Sequence, residues 1–168
     1  MHYILGLGSN LDPTKHVPLM LHALFELAPT LRVGRIIETA PLAVAGPPFL
    51  NGVVSLISDR SPQELKAYCN QIEHELGRDR SDPASKVKSR TADLDILLVL
   101  SDPTSLLSIE QLPSEPYVRP ILLELLTYLG IAIDGAHVGP ELPPGVELWL
   151  GGMAIGRLPC TISKTECA

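Results

Sequence analysis

Asp93 and Asp95 stand two residues apart at the head of an apolar run, Asp93-Leu94-Asp95-Ile96-Leu97-Leu98-Val99-Leu100. The run reads as a β-strand, so both carboxylates leave it on one face with Cα atoms about 6.5–7 Å apart. Carboxylates that close repel, and one tends to keep its proton unless a cation lies between them. Directly upstream, residues 78–90 hold Arg78, Arg80, Lys86, Lys88 and Arg90, five of the chain's 13 lysines and arginines. Acids suited to Mg²⁺ beside bases suited to phosphate are what a nucleotide polyphosphate requires. The blander alternative is a solvated strand edge after a mobile charged loop. The concentration of bases and the apolar strand favour a metal site, with Arg90 the first choice for a phosphate contact and Lys88 a solvated charge.

A second pair shares a strand face. Phe49 offers an aromatic surface, and Asn51 offers an amide that is costly in mid-strand without a partner. Together they suit a flat heterocycle with an amide-like edge. Other signatures fail. Gly6 and Gly8 make a GxG, but Leu11 occupies the place of the third glycine of a dinucleotide fingerprint, and there is no GxxxxGK[ST] loop. Cys69, Cys160 and Cys167 are odd in number and widely spaced, which argues against a disulfide framework or a zinc site. His2, His16, His22, His74 and His137 show no ligand spacing.

The elements that must position these residues follow from periodicity and punctuation. Residues 2–7 predict a first strand ending in a Gly8-Ser9-Asn10 turn. Asp12-Pro13 predicts a helix cap, and Val17, Met20, Leu21, Leu24 and Ala28 its buried face. Strands are expected over 33–39 and 49–57, on either side of a loop rich in proline and small residues from Ala40 to Pro48. Ser61-Pro62-Gln63-Glu64 has capping-box spacing, Leu65, Cys69, Ile72 and Leu76 mark the buried face, and Gly77 suits the C-terminal cap. After the acid-bearing strand, residues 119–129 predict an apolar helix. Residues 146–150 predict a short strand, Trp149 a core residue, and the chain from Lys164 a frayed tail. The order β-α-β-β-α-β with C-terminal additions predicts an α+β, ferredoxin-like antiparallel sheet with helices packed on one face. Length favours one domain over residues 1–168, with 130–168 hard to read. The net charge of −6 speaks against a nucleic-acid partner. With no apolar run near 18 residues and no signal peptide, the expectation is a cytoplasmic protein without membrane association, a monomer or weak homodimer.

In this order the residues resemble the 6-hydroxymethyl-7,8-dihydropterin pyrophosphokinases of folate biosynthesis. The resemblance runs from about residue 3 to about residue 126. It rests on Gly8-Ser9-Asn10, Thr39 with Pro41-Leu42, Phe49-Leu50-Asn51, Ile72-Glu73, Gly77-Arg78 with Arg80, and Arg90-Thr91 with Asp93-Leu94-Asp95-Ile96-Leu97. Leu112-Pro113 and Arg119 extend it. The resemblance implies transfer of pyrophosphate from ATP to the pterin hydroxymethyl group, giving AMP, with two Mg²⁺ ions. It implies that Asp93 and Asp95 bind the metals and that Asp95, Arg90 and Arg80 serve catalysis. Glu73, Asn70, Arg78, Lys86, Arg90 and Arg119 would face ATP, and Thr39, Leu42, Phe49 and Asn51 would hold the pterin.

Three places depart from the family's pattern. Val87-Lys88-Ser89 stands where the family has Trp-Gly-Pro, Ser114 where it has histidine, and Ile121 where it has a pterin-stacking phenylalanine. Tyr117, adjacent, is a candidate replacement. Three readings stay open at this point: the pyrophosphokinase, a relative that binds pterin or nucleotide without turnover, and a pyrophosphokinase with an altered acceptor.

Overall fold

Alternation on the strands decides this fold, because each face of the central sheet packs its own core, one of them over only part of its area. The computed structural model describes residues 1–42, 45–135 and 141–168. Residues 43–44 of the proline-rich loop and His137 lie outside them. The chain runs through β1 (His2–Ser9), α1 (Pro13–Leu24), β2 (Thr30–Val33), β3 (Ile37–Thr39), β4 (Phe49–Ile57), α2 (Pro62–Glu75) and β5 (Asp93–Leu100). It continues through β6 (Leu107–Ser108), a 3₁₀ turn (Ile109–Gln111), α3 (Arg119–Tyr128), β7 (Ile133–Asp134), β8 (Leu148–Leu150), β9 (Met153–Ile155) and β10 (Cys160–Ser163). The main sheet has the order β10-β2-β4-β1-β5, with β3 also on β4, and its pairings among the described residues are antiparallel. Setting β10 aside, this is the ferredoxin-like order, with β1 between β4 and β5 and the β2–β3 line on the far side of β4.

Tyr3, Leu5 and Leu7 of β1 point into one core with Val17, Met20, Leu21 and Leu24 of α1 and Leu65, Cys69 and Ile72 of α2. Ile4 and Val53 point the other way, against Ile121, Leu122, Leu125 and Leu126 of α3. The two ferredoxin-like helices thus share a face as expected, and the added helix α3 covers part of the other. The uncovered part of that second face holds the candidate site.

Local signals read correctly where they are self-contained. At α2, Ser61 Oγ accepts from Glu64 N (3.3 Å) and Ser61 N donates to Glu64 Oε2 (2.8 Å), a complete capping box. At its end Gly77 has φ +93°, Gly77 N donates to His74 O (3.0 Å) and Arg78 N to Glu73 O (2.9 Å). That is a Schellman closure.

Five expectations need correction. β1 continues through Gly8 and Ser9, because both pair with β4, and the chain leaves the strand two residues later, at Asn10. Asp12 takes a left-handed conformation (φ +48°) and makes no side-chain cap; its carbonyl receives Lys15 N and His16 N instead. The 33–39 strand breaks into β2 and β3, since Ile36 N and Ile36 O bond Gly156 O (2.9 Å) and Val146 N (2.7 Å) from the C-terminal segment. Trp149 is exposed, because Leu148 and Leu150 take the inward positions of a short alternating strand. The tail is not frayed at Lys164: its N–H bonds Pro29 O (2.9 Å), its ammonium pairs with Glu26 (2.7 Å), and Cys167 is buried. Among the described residues no helix is long and apolar enough to cross a membrane.

Candidate functional site

The site's floor is glycine. In register across the sheet, Asp93 pairs with Gly8, and Gly8 with Asn51. One step on, Asp95 pairs with Gly6. Antiparallel partners point to the same face, so the two acids and Asn51 stand up on either side of a trough whose floor, Gly6 and Gly8, carries no side chain of its own. A Cβ at Gly8 would sit 3.1 Å from Asn51 Oδ1 and 3.6 Å from Asp93 Cβ, and one at Gly6 would meet Leu97 at 3.4 Å. The trough opens into a cavity of about 430 Å³, lined by Thr39, Leu42, Phe49, Asn51, Arg90, Asp93 and Asp95, with Pro113, Glu115, Tyr117 and Val118 on the far wall.

One flank is preorganised for an amide-bearing ring. Asn51 Nδ2 donates to Thr39 Oγ1 (2.6 Å), which fixes the amide's orientation and leaves Oδ1 beside Gly8. Phe49 lies beside them, and the Arg90 guanidinium sits over its ring at 5.8 Å. On the far wall Tyr117 has its phenol pushed above the usual range by burial, with Glu115 and Asp93 adding to the effect.

The other flank is a chain of alternating charges. Asp93 Oδ1 takes Arg78 Nη1 (2.6 Å) and Asp93 Oδ2 takes Arg90 Nη1 (3.0 Å). Asp95 Oδ1 takes Lys66 Nζ (3.0 Å). Behind them Glu73, wholly buried, accepts from Leu94 N (2.8 Å), from Arg80 Nε (2.6 Å), and pairs with Arg78 (3.3 Å). One carboxylate therefore holds the acid strand, the basic loop and the end of α2 together. The turn at Asn10 holds the strand's start: Asn10 Oδ1 accepts Arg90 N (2.7 Å), Asn10 N donates to Arg90 O (3.0 Å), and Asn10 Nδ2 reaches Ser89 Oγ (3.1 Å).

The structure brings seven of the expected residues into one cavity: Thr39, Leu42, Phe49, Asn51, Arg90, Asp93 and Asp95. The others it places differently. Arg78 is buried, with Nη1 on Ala92 O (3.1 Å) and Asp93, so it acts on the acid pair from behind rather than from a mobile loop. Glu73 has both oxygens engaged inside the protein. Arg119 caps the 3₁₀ turn, donating to Pro113 O (2.7 Å) and Leu112 O (2.9 Å), and is not in the cavity lining. Asn70 Oδ1 is buried with no hydrogen-bond partner among the described residues, and Asn70 is not in the cavity lining. Arg80 and Lys86 remain at the mouth of the basic loop, Arg80 held by Glu73 and Lys86 exposed. Ile121, at the place of the family's stacking phenylalanine, is buried in the core between α3 and the sheet. Sequence reasoning missed Lys66, Glu115 and the trough glycines. The GxG was the available signal for the last, because glycines two apart in a strand clear one face of it.

Among the described residues there is no cluster of three or more His, Cys, Asp and Glu that could hold a metal. The donor set is two carboxylates, oxygen only, which fits Mg²⁺ bound mainly through substrate phosphates and water.

Comparison with known proteins gives the following. The family model described as 7,8-dihydro-6-hydroxymethylpterin-pyrophosphokinase matches residues 4–126. Two curated proteins from two strains of Porphyromonas gingivalis, each named 2-amino-4-hydroxy-6-hydroxymethyldihydropteridine pyrophosphokinase, are 41% identical to the chain over 101 residues. The match covers 56% of this chain and 66% of each relative, so it spans just under two thirds of their length.

Proposed function

Because the chain belongs to the 7,8-dihydro-6-hydroxymethylpterin-pyrophosphokinase family, we propose that it transfers pyrophosphate from ATP to the hydroxymethyl group of 6-hydroxymethyl-7,8-dihydropterin, releasing AMP. The observation that carries this reading is the single cavity in which the acid pair Asp93–Asp95 faces the Phe49–Asn51 flank across a glycine floor. An acceptor held on that flank lies next to whatever the acids hold.

Such a transfer needs alignment and charge balance more than covalent chemistry. Asp93 and Asp95 would hold two Mg²⁺ ions. When bound, these supply charge neutralisation to the polyphosphate. Asn51, with its amide oriented by Thr39, would read the ring's donor and acceptor edge, and Phe49 would cover one ring face. Tyr117 faces the same cavity and gives the ring a second aromatic neighbour that Ile121 does not provide. Arg90 touches both halves, Asp93 by an ion pair and Phe49 by its ring face, and would contact phosphate from between them. Arg80 and Lys86 on the preceding loop would add positive charge on closure and keep water from the polyphosphate.

The test is AMP production by the protein with Mg²⁺ and ATP, with and without the pterin. Pterin-dependent AMP is expected. Tight pterin binding without AMP would replace this reading with a binding protein, and AMP formed only with another alcohol would replace the acceptor.

A further inference from the structure

The two acids are neutralised in different ways. Asp93 faces Arg78 and Arg90, and both guanidiniums are fixed by other bonds: Arg78 by Ala92 O and Glu73, Arg90 by Lys86 O (2.7 Å). Asp95 faces Lys66, which reaches over from α2 to the outer edge of β5 and also donates to Leu94 O (3.1 Å). The Lys66 side chain is 38% exposed and that of Asp95 59%. A lysine is a point charge on a flexible stem, and an exposed lysine–carboxylate pair is weak and readily exchanged.

Resting on the reading of Asp95 as a metal ligand, we propose that Lys66 is the resident counter-cation of Asp95, which divalent metal must displace, so that this lysine sets the concentration at which the acid pair loads. Lys66 keeps the unliganded acids apart in charge and opposes metal binding. Once the carboxylate is taken, the Leu94 carbonyl remains as a resting place for the ammonium at the strand edge. Because Arg78 and Arg90 are locked and Lys66 is not, the outer acid is the one whose availability the protein adjusts.

The experiment is a titration of the ligand-free protein with Mn²⁺ as the probe, reading the spin-resonance signal of free Mn²⁺. Lys66→Met keeps the stem and removes the charge; it is expected to bind Mn²⁺ about three- to tenfold more tightly than the unaltered protein. Lys66→Arg keeps the charge and is expected to stay within about twofold of it. Asp95→Asn is expected to lose the gain when combined with Lys66→Met. If Lys66→Met binds no tighter while Asp95→Asn binds more weakly, the role of Lys66 is overturned and the metal assignment stands. If Asp95→Asn binds Mn²⁺ as the unaltered protein does, the metal assignment itself falls. If neither the unaltered protein nor Lys66→Met binds Mn²⁺, the proposal is overturned as well.

Discussion

Glu73 reaches three elements with one side chain. It sits at zero exposure among Leu94 N, Arg80 and Arg78, and Arg78 passes its effect to Asp93. Removing one partner of a buried ion pair leaves an uncompensated charge, at a cost of about 3–5 kcal/mol. Glu73→Gln keeps the shape, takes the second counter-charge from buried Arg78, which keeps Asp93 and Ala92 O, and leaves the half-exposed Arg80 without its carboxylate. Urea unfolding is expected to show a loss of about 3 kcal/mol, and pterin-dependent turnover should fall with it because Arg78, which holds Asp93, loses its anchor on Glu73. On the opposite flank, Asn51→Ala removes the amide while leaving the glycine floor in place. Pterin affinity measured by calorimetry is expected to drop by about 1–3 kcal/mol, the cost of unpaired ring donors and acceptors, with the unfolding midpoint close to unchanged. An equal loss of ATP affinity would count against the division of the cavity into two flanks.

At the level of elements, α2 shows what local chemistry can specify. Its capping box and its glycine closure both stand where the residues say they should, because each needs only contacts within one turn. Gly77 matters beyond the helix. Its left-handed turn sends Arg78 back over Glu73, so the helix ending and the site's electrostatics are one feature. A Cβ there meets nothing within 4 Å, so Gly77→Ala carries backbone strain alone. About 1–2 kcal/mol of stability should be lost in chemical denaturation. The paired acids, Phe49 and Asn51 were legible for a related reason: period-two alternation fixes which side chains share a face. Glu73 and Arg78 were not legible as buried hubs. Their burial depends on how α2, the loop and β5 pack, which no local pattern records. Lys66 was invisible for the same reason, as its partner lies 29 residues away.

On the scale of the molecule, the C-terminal third explains the broken 33–39 strand, the ordered tail and the covering of the sheet. β10 adds to the edge at β2, the segment around Val146 and Gly156 takes the backbone bonds of Ile36, and α3 seals part of the second face. Short strands such as Cys160–Ser163 carry little pattern, and they form because an edge of the sheet is there to receive them. α3 in turn leaves the trough over Gly6 and Gly8 open, and Arg119 at its start ties down the segment that carries Glu115 and Tyr117. In the opposite core Cys69 has no exposure, and burial pushes its thiol up to about 11. The sign follows from linkage: the fold prefers the protonated thiol, so its contribution is complete below pH 9 and is lost as pH rises through about 11. Cys69 should resist alkylation at pH 8 until the protein unfolds; rapid labelling of the native protein at Cys69 would contradict the packing of α2 on the sheet.

In the proposed function one cavity joins a polyphosphate, held through Mg²⁺ on Asp93 and Asp95, to an acceptor held by Phe49 and Asn51. That function is tested most directly by following ATP labelled at the γ-phosphorus with the pterin and Mg²⁺, in the unaltered protein and in Asp95→Asn. The expected result is label in a pterin diphosphate with AMP as the nucleotide product, and a rate at least about 100-fold lower in Asp95→Asn. Label leaving as inorganic phosphate with ADP, or an undiminished rate in Asp95→Asn, would contradict it.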